Sequence, residues 1–200
     1  MREHIINTAA ELFLNLGFKS ITMDDIANKI GISKKTIYKF FSTKEVLIEE
    51  AIEKVHHDID VSVKKIFLRK YNAIEENFEI RRTFKELFKS QETSPIYQLK
   101  KHYPKIHEKA YKKQIEACKI WFVKNIEKGM NEGLYRPELD VEVSSNFYYF
   151  LIFQINEFCV LESEASALEL KALEYHTRAI ATPEGVKELE KQLSNTYINQ

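Results

Sequence analysis

Between Thr22 and Glu45 the chain reads TMDDIANKIGISKKTIYKFFSTKE, and this stretch decides the fold. Thr22 with Asp25 three residues later is the pattern of a capped helix start. Ser33 opens a second, shorter helix that the apolar spacing extends to Phe40. Gly31 lies between the two helices and takes up a left-handed backbone at little cost. The stretch therefore predicts a helix-turn-helix over residues 22–41.

The packing positions of this stretch agree with that prediction. Two helices that cross at a tight turn need a small residue where they touch, and Ala27 stands four residues before Gly31. Apolar side chains that can hold the helices together follow at compatible positions: Ile26, Ile30, Ile32, Ile37 and Phe40. An isolated Ala and Gly at this spacing would be weak support, but the caps, the turn and the packing residues occur together.

Outside this stretch the sequence also predicts helices. The chain has only five glycines and four prolines in 200 residues. A first helix is expected to end at Gly17, and residues 42–45 read as a capping box, with Ser42 as N-cap, that opens a long helix. Apolar periodicity predicts further helices over 72–89, after Pro95, from Pro104 to Gly129 or Gly133, over 140–161 and 165–181, and from Pro183. We predict an all-α protein with a three-helix head, residues 1–47, and a larger helical body, residues 48–200.

Charge is concentrated in the head, although the net charge of the chain is zero. From residue 29 to residue 44 there are five lysines and no acid, at positions 29, 34, 35, 39 and 44. A local positive surface on a neutral protein is typical of a head that binds nucleic acid on a body that does not. We therefore predict double-stranded DNA as a partner.

The second helix of the motif is expected to lie in the major groove, where base edges can be distinguished. Its first turn presents Lys34, Lys35 and Thr36 to the bases, and Tyr38 can donate its hydroxyl to a phosphate. Helix N-termini at Thr22 and Lys44 direct backbone amides at phosphate. The predicted DNA-binding residues are Thr22, Ser33, Lys34, Lys35, Thr36, Tyr38, Lys39 and Lys44.

At these residues the chain resembles the TetR/AcrR, or tetracycline-repressor-like, family. The resemblance is carried by Thr22-x3-Ile26-Ala27-x3-Gly31-Ile32-Ser33 and by Thr36-Ile37-Tyr38-x-Phe40-Phe41-x2-Lys44-Glu45-x-Leu47. Ala10-x-Leu12-Phe13-x3-Gly17-Phe18 fits the first helix of that family. The resemblance implies a transcription regulator, expected to be a repressor, that binds a pseudo-palindromic operator as a homodimer. It also implies phosphate contacts from Tyr38 and Lys44. Where the family often has a small residue, this chain has Lys34-Lys35, which affects the operator sequence.

The resemblance further implies a ligand cavity among the middle helices and dimerisation through the last long helices. An apolar or aromatic small-molecule effector is the expected ligand. Trp121, Phe122, Tyr148 and Tyr149 are the candidate cavity walls. Candidate dimer-interface residues are Phe147, Phe150, Leu151, Phe158, Leu161, Leu168, Ala172, Tyr175 and Ala179. Gln154, Asn156 and Glu157 interrupt the apolar helix, and three roles stay open for them: binding a ligand, binding the other subunit, or reaching water.

Other classes of protein find less support in the sequence. No nucleophile elbow, P-loop or dinucleotide glycine motif is present, so we expect no enzyme activity. No metal site and no cofactor are predicted, and Cys118 and Cys159 are interpreted as buried, reduced thiols, with a redox switch as the alternative. No signal peptide or membrane span is predicted, so a cytoplasmic, nucleoid-associated protein is expected. The rival function is a DNA-bound structural or architectural factor with no small-molecule input.

Overall fold

The computed structural model describes residues 1–88 and 92–198, and these residues form ten helices. In chain order they are α1 (Arg2–Leu16), α2 (Met23–Ile30), α3 (Lys34–Tyr38), α4 (Lys44–Phe67), α5 (Ala73–Phe88), α6 (Pro95–His102), α7 (Pro104–Asn131), α8 (Val141–Phe158), α9 (Glu162–Ile180) and α10 (Pro183–Ile198). Isolated bridges join Thr93 to Leu161 and Tyr135 to Ala181, and the described residues form no strand. The predicted all-α class is confirmed.

The helix starts follow from side-chain caps. Thr22 and Asp25 form the reciprocal capping box of α2, with Thr22 N donating to Asp25 Oδ2 at 2.8 Å and Asp25 N donating to Thr22 Oγ1 at 3.2 Å. At α4 the prediction was wrong by one residue. Thr43, not Ser42, is the N-cap, and its Oγ1 accepts from the amide of Val46 at 3.3 Å. The third helical position is then a valine, which has no side-chain acceptor to complete a box.

The head is built from α1, α2, α3 and the start of α4 around one hydrophobic core. Ile5, Phe13, Ile26, Ile37 and Leu47 are almost fully buried in it. Leu99 of α6 and Ile106 of α7 are buried in the same cluster, so the body contributes to the core of the head. Helix α4 continues through residue 48 without a break. The division into residues 1–47 and 48–200 stays a prediction.

The body contains a buried polar network that the apolar pattern does not reveal. The Glu76 carboxylate, 1% exposed, pairs with the Lys128 ammonium and accepts a hydrogen bond from Asn125 Nδ2 at 3.1 Å. Asn77 Nδ2 donates to Asn125 Oδ1 at 2.8 Å and to the Tyr135 hydroxyl at 3.3 Å. The network joins α5 to the C-terminal half of α7 and to the loop that follows it.

Helices α4 and α7 are also joined by surface ion pairs. Lys109 Nζ lies 2.6 Å from Glu49 Oε2, and Lys113 Nζ lies 2.6 Å from Glu53 Oε1. Exposed pairs of this kind contribute little to the stability of a fold. They join the helix that leaves the head to the longest helix of the body. Among the described helices, none combines the length and apolar character that crossing a bilayer requires.

Candidate nucleic-acid interface and effector cavity

The turn of the helix-turn-helix has the geometry that its sequence predicts. Gly31 has φ 71° and ψ 33°, a left-handed conformation that L side chains rarely adopt. The amide of Ile32 donates to the Ala27 carbonyl at 3.0 Å and closes the end of α2. Ala27 is 2% exposed, as expected for the residue at which the two helices touch. The turn therefore fixes the direction in which α3 leaves α2.

Helix α3 buries one side chain and exposes the rest. Ile37 is fully buried, whereas Ser33, Lys34, Lys35, Tyr38 and Lys39 are exposed and Thr36 is partly exposed. Ser33 caps the helix by accepting from the Thr36 amide at 3.1 Å, and the two hydroxyls lie 2.9 Å apart. The predicted base-facing residues are thus on the surface and next to one another.

Two of the predicted contact residues already have partners on α2. The Lys34 ammonium lies 2.7 Å from Asp24 Oδ2, and this hydrogen bond raises the pKa of Lys34. The Thr22 hydroxyl donates to Asp25 Oδ2 at 2.7 Å. Asp24 therefore offsets part of the charge of the lysine run. To bind DNA, the Lys34 ammonium must leave the Asp24 carboxylate. Breaking a solvated ion pair of this kind costs little free energy.

Lys44 is placed differently from the other predicted residues. Its ammonium lies 5.7 Å from the ring centre of Phe13 and 5.8 Å from that of Tyr103, and it donates to the Lys19 carbonyl at 3.4 Å. Partial burial lowers its pKa. The side chain faces the junction between α1 and the body, while the start of α4 still carries the free backbone amides. A phosphate contact by the Lys44 side chain stays a prediction.

A cavity of about 160 Å³ lies between the head and the body. An engineered apolar cavity of about 150 Å³ holds benzene, so this one has room for a small organic molecule. Its walls come from α4 to α9 and also from α1, where Ala10, Phe13 and Leu14 line it. The cavity therefore contacts both halves of the protein.

Three of the four predicted wall residues line this cavity: Trp121, Phe122 and Tyr148. The Tyr148 ring is stacked on the ring of His176, with centres 4.5 Å apart and planes 8° apart. Tyr149 was predicted beside them, but it packs in the neighbouring cluster against Phe153 and does not line the cavity. Adjacent residues on a helix point about 100° apart, so Tyr148 and Tyr149 do not share a face.

The charged residues of the cavity were missed in the sequence. Arg81, Glu162 and Glu169 line it, together with the partly buried His56. Burial and the neighbouring Glu169 raise the pKa of Glu162 to about 7. Burial also raises the pKa of Glu169, whose Oε1 accepts from Asn156 Nδ2 at 2.7 Å. The spacing of seven residues puts both glutamates on one face of α9, but acidic residues on a helix face are usually solvated.

Most of the predicted dimer-interface residues lie on the surface of a single protomer. Exposed are Phe147, Phe150, Leu151, Phe158, Leu161, Leu168, Tyr175 and Ala179. Ala172 is a correction, because it is 7% exposed and faces the interior of the protomer with Ala165 and Leu173. The remaining side chains form an apolar surface on α8 and α9.

The three polar residues of α8 have separate surroundings. Gln154 is exposed on the same side as Phe147 and Phe158. Asn156 lines the cavity. Glu157 is paired with Lys100 at 2.7 Å and lies 3.8 Å from His107 Nε2. Within the described part of the chain, no group of three or more His, Cys, Asp or Glu side chains is arranged to hold a metal ion. Burial raises the pKa of the Cys118 thiol to about 12, which keeps it protonated.

Comparisons of the sequence with known proteins agree with the helix-turn-helix. The sequence model of the family described as "Bacterial regulatory proteins, tetR family" matches residues 5–51. The HTH-type transcriptional repressor KstR2 of Mycolicibacterium smegmatis is 24% identical in an alignment of 160 positions that covers 73% of each chain. The uncharacterized HTH-type transcriptional regulator YdeS of Bacillus subtilis is 28% identical in an alignment of 160 positions that covers 74% of each chain.

Solved structures share the whole fold. A transcriptional regulator from Cytophaga hutchinsonii has a TM-score of 0.74 at 19% identity, over 90% of this chain and 98% of that one. A putative transcriptional regulator from Saccharomonospora viridis, solved in complex with choline, has a TM-score of 0.65 at 18% identity, over 90% of this chain and 97% of that one. At these identities the likeness extends to the fold.

Proposed function

We propose that this chain, whose residues 5–51 match the tetR family of bacterial regulatory proteins, is a homodimeric, ligand-responsive repressor that binds a pseudo-palindromic operator. The observation that carries the proposal is the cavity, because its wall includes α1 of the head as well as helices of the body. A molecule in that cavity contacts the element that supports the DNA-binding helices.

The DNA contacts of the proposed repressor begin at α3. In the major groove, Lys34 and Lys35 can donate to guanine, and the methyl group of Thr36 can contact a thymine methyl. Tyr38 and Lys39, near the end of the helix, are in reach of phosphate oxygens. The burial of Ile37 holds the helix that carries these five residues in one orientation.

The apolar surface of α8 and α9 supports the proposed homodimer. Phe147, Phe158 and Tyr175 are 65%, 72% and 71% exposed in a single protomer. Large exposed apolar patches of this kind mark interaction sites, and a second copy of the same surface would cover them. Two heads separated by about 34 Å then read two half-sites, which gives useful specificity.

The proposed response to a ligand is a shift in the population of two arrangements of the heads. Phe13 lines the cavity and also carries the Lys44 ammonium against its ring. A ligand that fits a cavity shape in which α1 and α4 have moved would favour heads with the wrong spacing. The ligand cannot lower the operator affinity by a larger factor than the one by which it binds that arrangement more tightly. Such a repressor works at the nucleoid, in the cytoplasm.

The proposal is tested with the DNA that flanks this protein's own coding region. Footprinting should show two protected half-sites about 10 base pairs apart, or a multiple of that spacing. Small apolar compounds should then lower the affinity for that fragment in a saturable way. Protection of one site only would contradict the dimer, and an affinity that no compound changes would favour a structural DNA-binding factor.

A further inference from the structure

We propose that the effector of this protein is an apolar molecule with a single positive charge, and that the Glu162 carboxylate is its counter-ion in the cavity. The inference rests on the proposed function, in which the cavity receives the effector. It adds the chemical class of that effector.

The wall of the cavity suits such a molecule. Phe84, Trp121, Phe122, Tyr148 and Phe153 line it. The face of an aromatic ring attracts a cation within about 6 Å, and the attraction increases when the site excludes water. The aliphatic side chains between them, such as Ile80 and Ile152, bind the apolar part of the molecule.

The charged groups of the wall are not balanced. Arg81 supplies one positive charge, and Glu162 and Glu169 supply two carboxyl groups. Arg81 donates from one guanidinium nitrogen to the Ser166 carbonyl at 2.6 Å and to its hydroxyl at 3.3 Å. Glu169 accepts from Asn156. One negative charge remains in excess when both glutamates are ionised.

Glu162 is the carboxylate that is left for a ligand. Over residues 1–88 and 92–198, no side chain or amide donates a hydrogen bond to its carboxylate, and no cation forms an ion pair with it. Its own amide donates to the Glu92 carbonyl at 3.1 Å, which fixes the start of α9 beside the cavity. A partly buried carboxylate without a protein partner is unfavourable, so a bound cation would lower that cost.

The surroundings of Glu162 make the binding of a cation dependent on pH. The charge of Glu169 on α9 acts on Glu162, and Glu162 acts in turn on Cys159 at the end of α8, as Glu164 does. The carbonyl of Glu92 accepts from its amide, and Arg81 of α5 and His56 of α4 line the same cavity. Burial and Glu169 raise the pKa of Glu162 to about 7. At pH 6 the Glu162 side chain is protonated in most molecules, and it must lose that proton before it can pair with a cation. A permanent cation should therefore bind about tenfold more weakly at pH 6 than at pH 8.

The test uses two molecules of the same shape and a single reporter. Benzyltrimethylammonium carries a quaternary nitrogen, and neopentylbenzene has a carbon in the same place. Trp121 is the one tryptophan of the chain and lines the cavity, so its fluorescence reports binding. We expect the cation to bind at least about tenfold more tightly than the neutral molecule at pH 8.

Variants assign the preference to one carboxylate. Glu162→Gln should reduce the preference to less than about threefold and abolish its pH dependence, because the amide cannot ionise. Glu164→Gln removes the same charge two residues along α9 at an exposed position outside the cavity wall, and it should bind both molecules as the wild type does. Thermal unfolding of each variant checks that it is folded.

Two results would overturn the inference. One is that neopentylbenzene binds as tightly as benzyltrimethylammonium or more tightly, or that the preference for the cation survives in Glu162→Gln. The proposed ligand-responsive repressor would then remain, with a different class of ligand. The other is no change in Trp121 fluorescence with either molecule, which would also remove the cavity as a receptor for such ligands. A gel shift of the same samples measures DNA binding separately.

Discussion

Individual side chains on α3 are held in different ways before DNA binds. Lys34 is paired with Asp24, and the Thr36 hydroxyl is in contact with Ser33. Lys35 and Lys39 are exposed. Mutation distinguishes residues that read bases from residues that bind the backbone. Only the loss of a base-reading residue changes which DNA sequence is preferred.

Base readout is tested at Lys34 and Thr36. Lys34→Ala should change the preferred base pair at one or two positions of the operator, by about 1–3 kcal/mol for a lost bidentate contact with guanine. Thr36→Ala should change the preference at the position where its methyl group contacts a thymine methyl. Selection from a random duplex library measures the preference. Lys65→Ala, an exposed change near the end of α4, is the control. If both variants lose affinity while the preferred sequence is unchanged, these side chains do not read bases.

His176 gives a pH dependence of stability. Burial against the Tyr148 ring lowers its pKa from 6.5 to about 4. The unfolded chain takes up a proton near pH 6.5 and the folded chain only near pH 4, so stability decreases as the pH is lowered through this window. Between pH 7 and pH 4.5 the wild type should lose about 2 kcal/mol more than His176→Gln. Denaturant unfolding at both values measures this, and equal losses would show that His176 is not the titrating group.

At the level of helices, the sequence predicts where each helix begins and ends, because these features depend on residues that are close in sequence. The ten helices follow from periodicity, caps and Pro or Gly at their ends, and errors are of one or a few residues, as at Thr43. The network of Glu76, Asn125 and Lys128 could not be predicted. Its partners on α5 and α7 are 49 and 52 residues apart in sequence, and nothing local indicates that a glutamate on a helix is buried.

The buried network gives a prediction about stability. Glu76→Ala removes one acceptor from the Lys128 ammonium, which keeps the Tyr71 carbonyl, and one from the Asn125 amide, which keeps the Ala73 carbonyl. It should lower the free energy of unfolding by about 1–3 kcal/mol. Glu127→Ala, an exposed change on the same α7, should stay within about 0.5 kcal/mol of the wild type. Urea unfolding measures both. A loss below about 1 kcal/mol in Glu76→Ala would mean that the pair does not support the junction of α5 and α7.

For the whole molecule, sequence and resemblance predicted a DNA-binding surface, a ligand cavity and a dimer face, and these roles stay predictions. In the structure, Trp121, Phe122 and Tyr148 line a cavity, and all but one of the dimer-interface candidates are exposed. The inclusion of α1 in the cavity wall, and the inward position of Ala172, depend on how helices are oriented in three dimensions. The apolar pattern of one helix does not determine how that helix is oriented relative to the others.

The dimer is tested on the apolar face. Phe147→Glu combined with Phe158→Glu places two charges where a second copy would pack, and burying an unpaired charge is unfavourable. Sedimentation should show a monomer that stays folded, because both side chains are exposed in the protomer. Leu68→Glu, at a residue that is 87% exposed at the end of α4, should remain dimeric. A dimer in the double variant would place the interface on another surface.

The lysines of the α2–α3 head are expected to contact duplex DNA, and the salt dependence of binding measures this contact. Anisotropy with a labelled duplex should show binding at low salt, with log K falling linearly against log[salt]. In the triple variant Lys34→Ala, Lys35→Ala, Lys39→Ala the slope should be smaller by at least about one unit, for the phosphate contact of Lys39, and the affinity much lower. No binding by the wild type at low salt, or the same slope in the triple variant, would contradict the account.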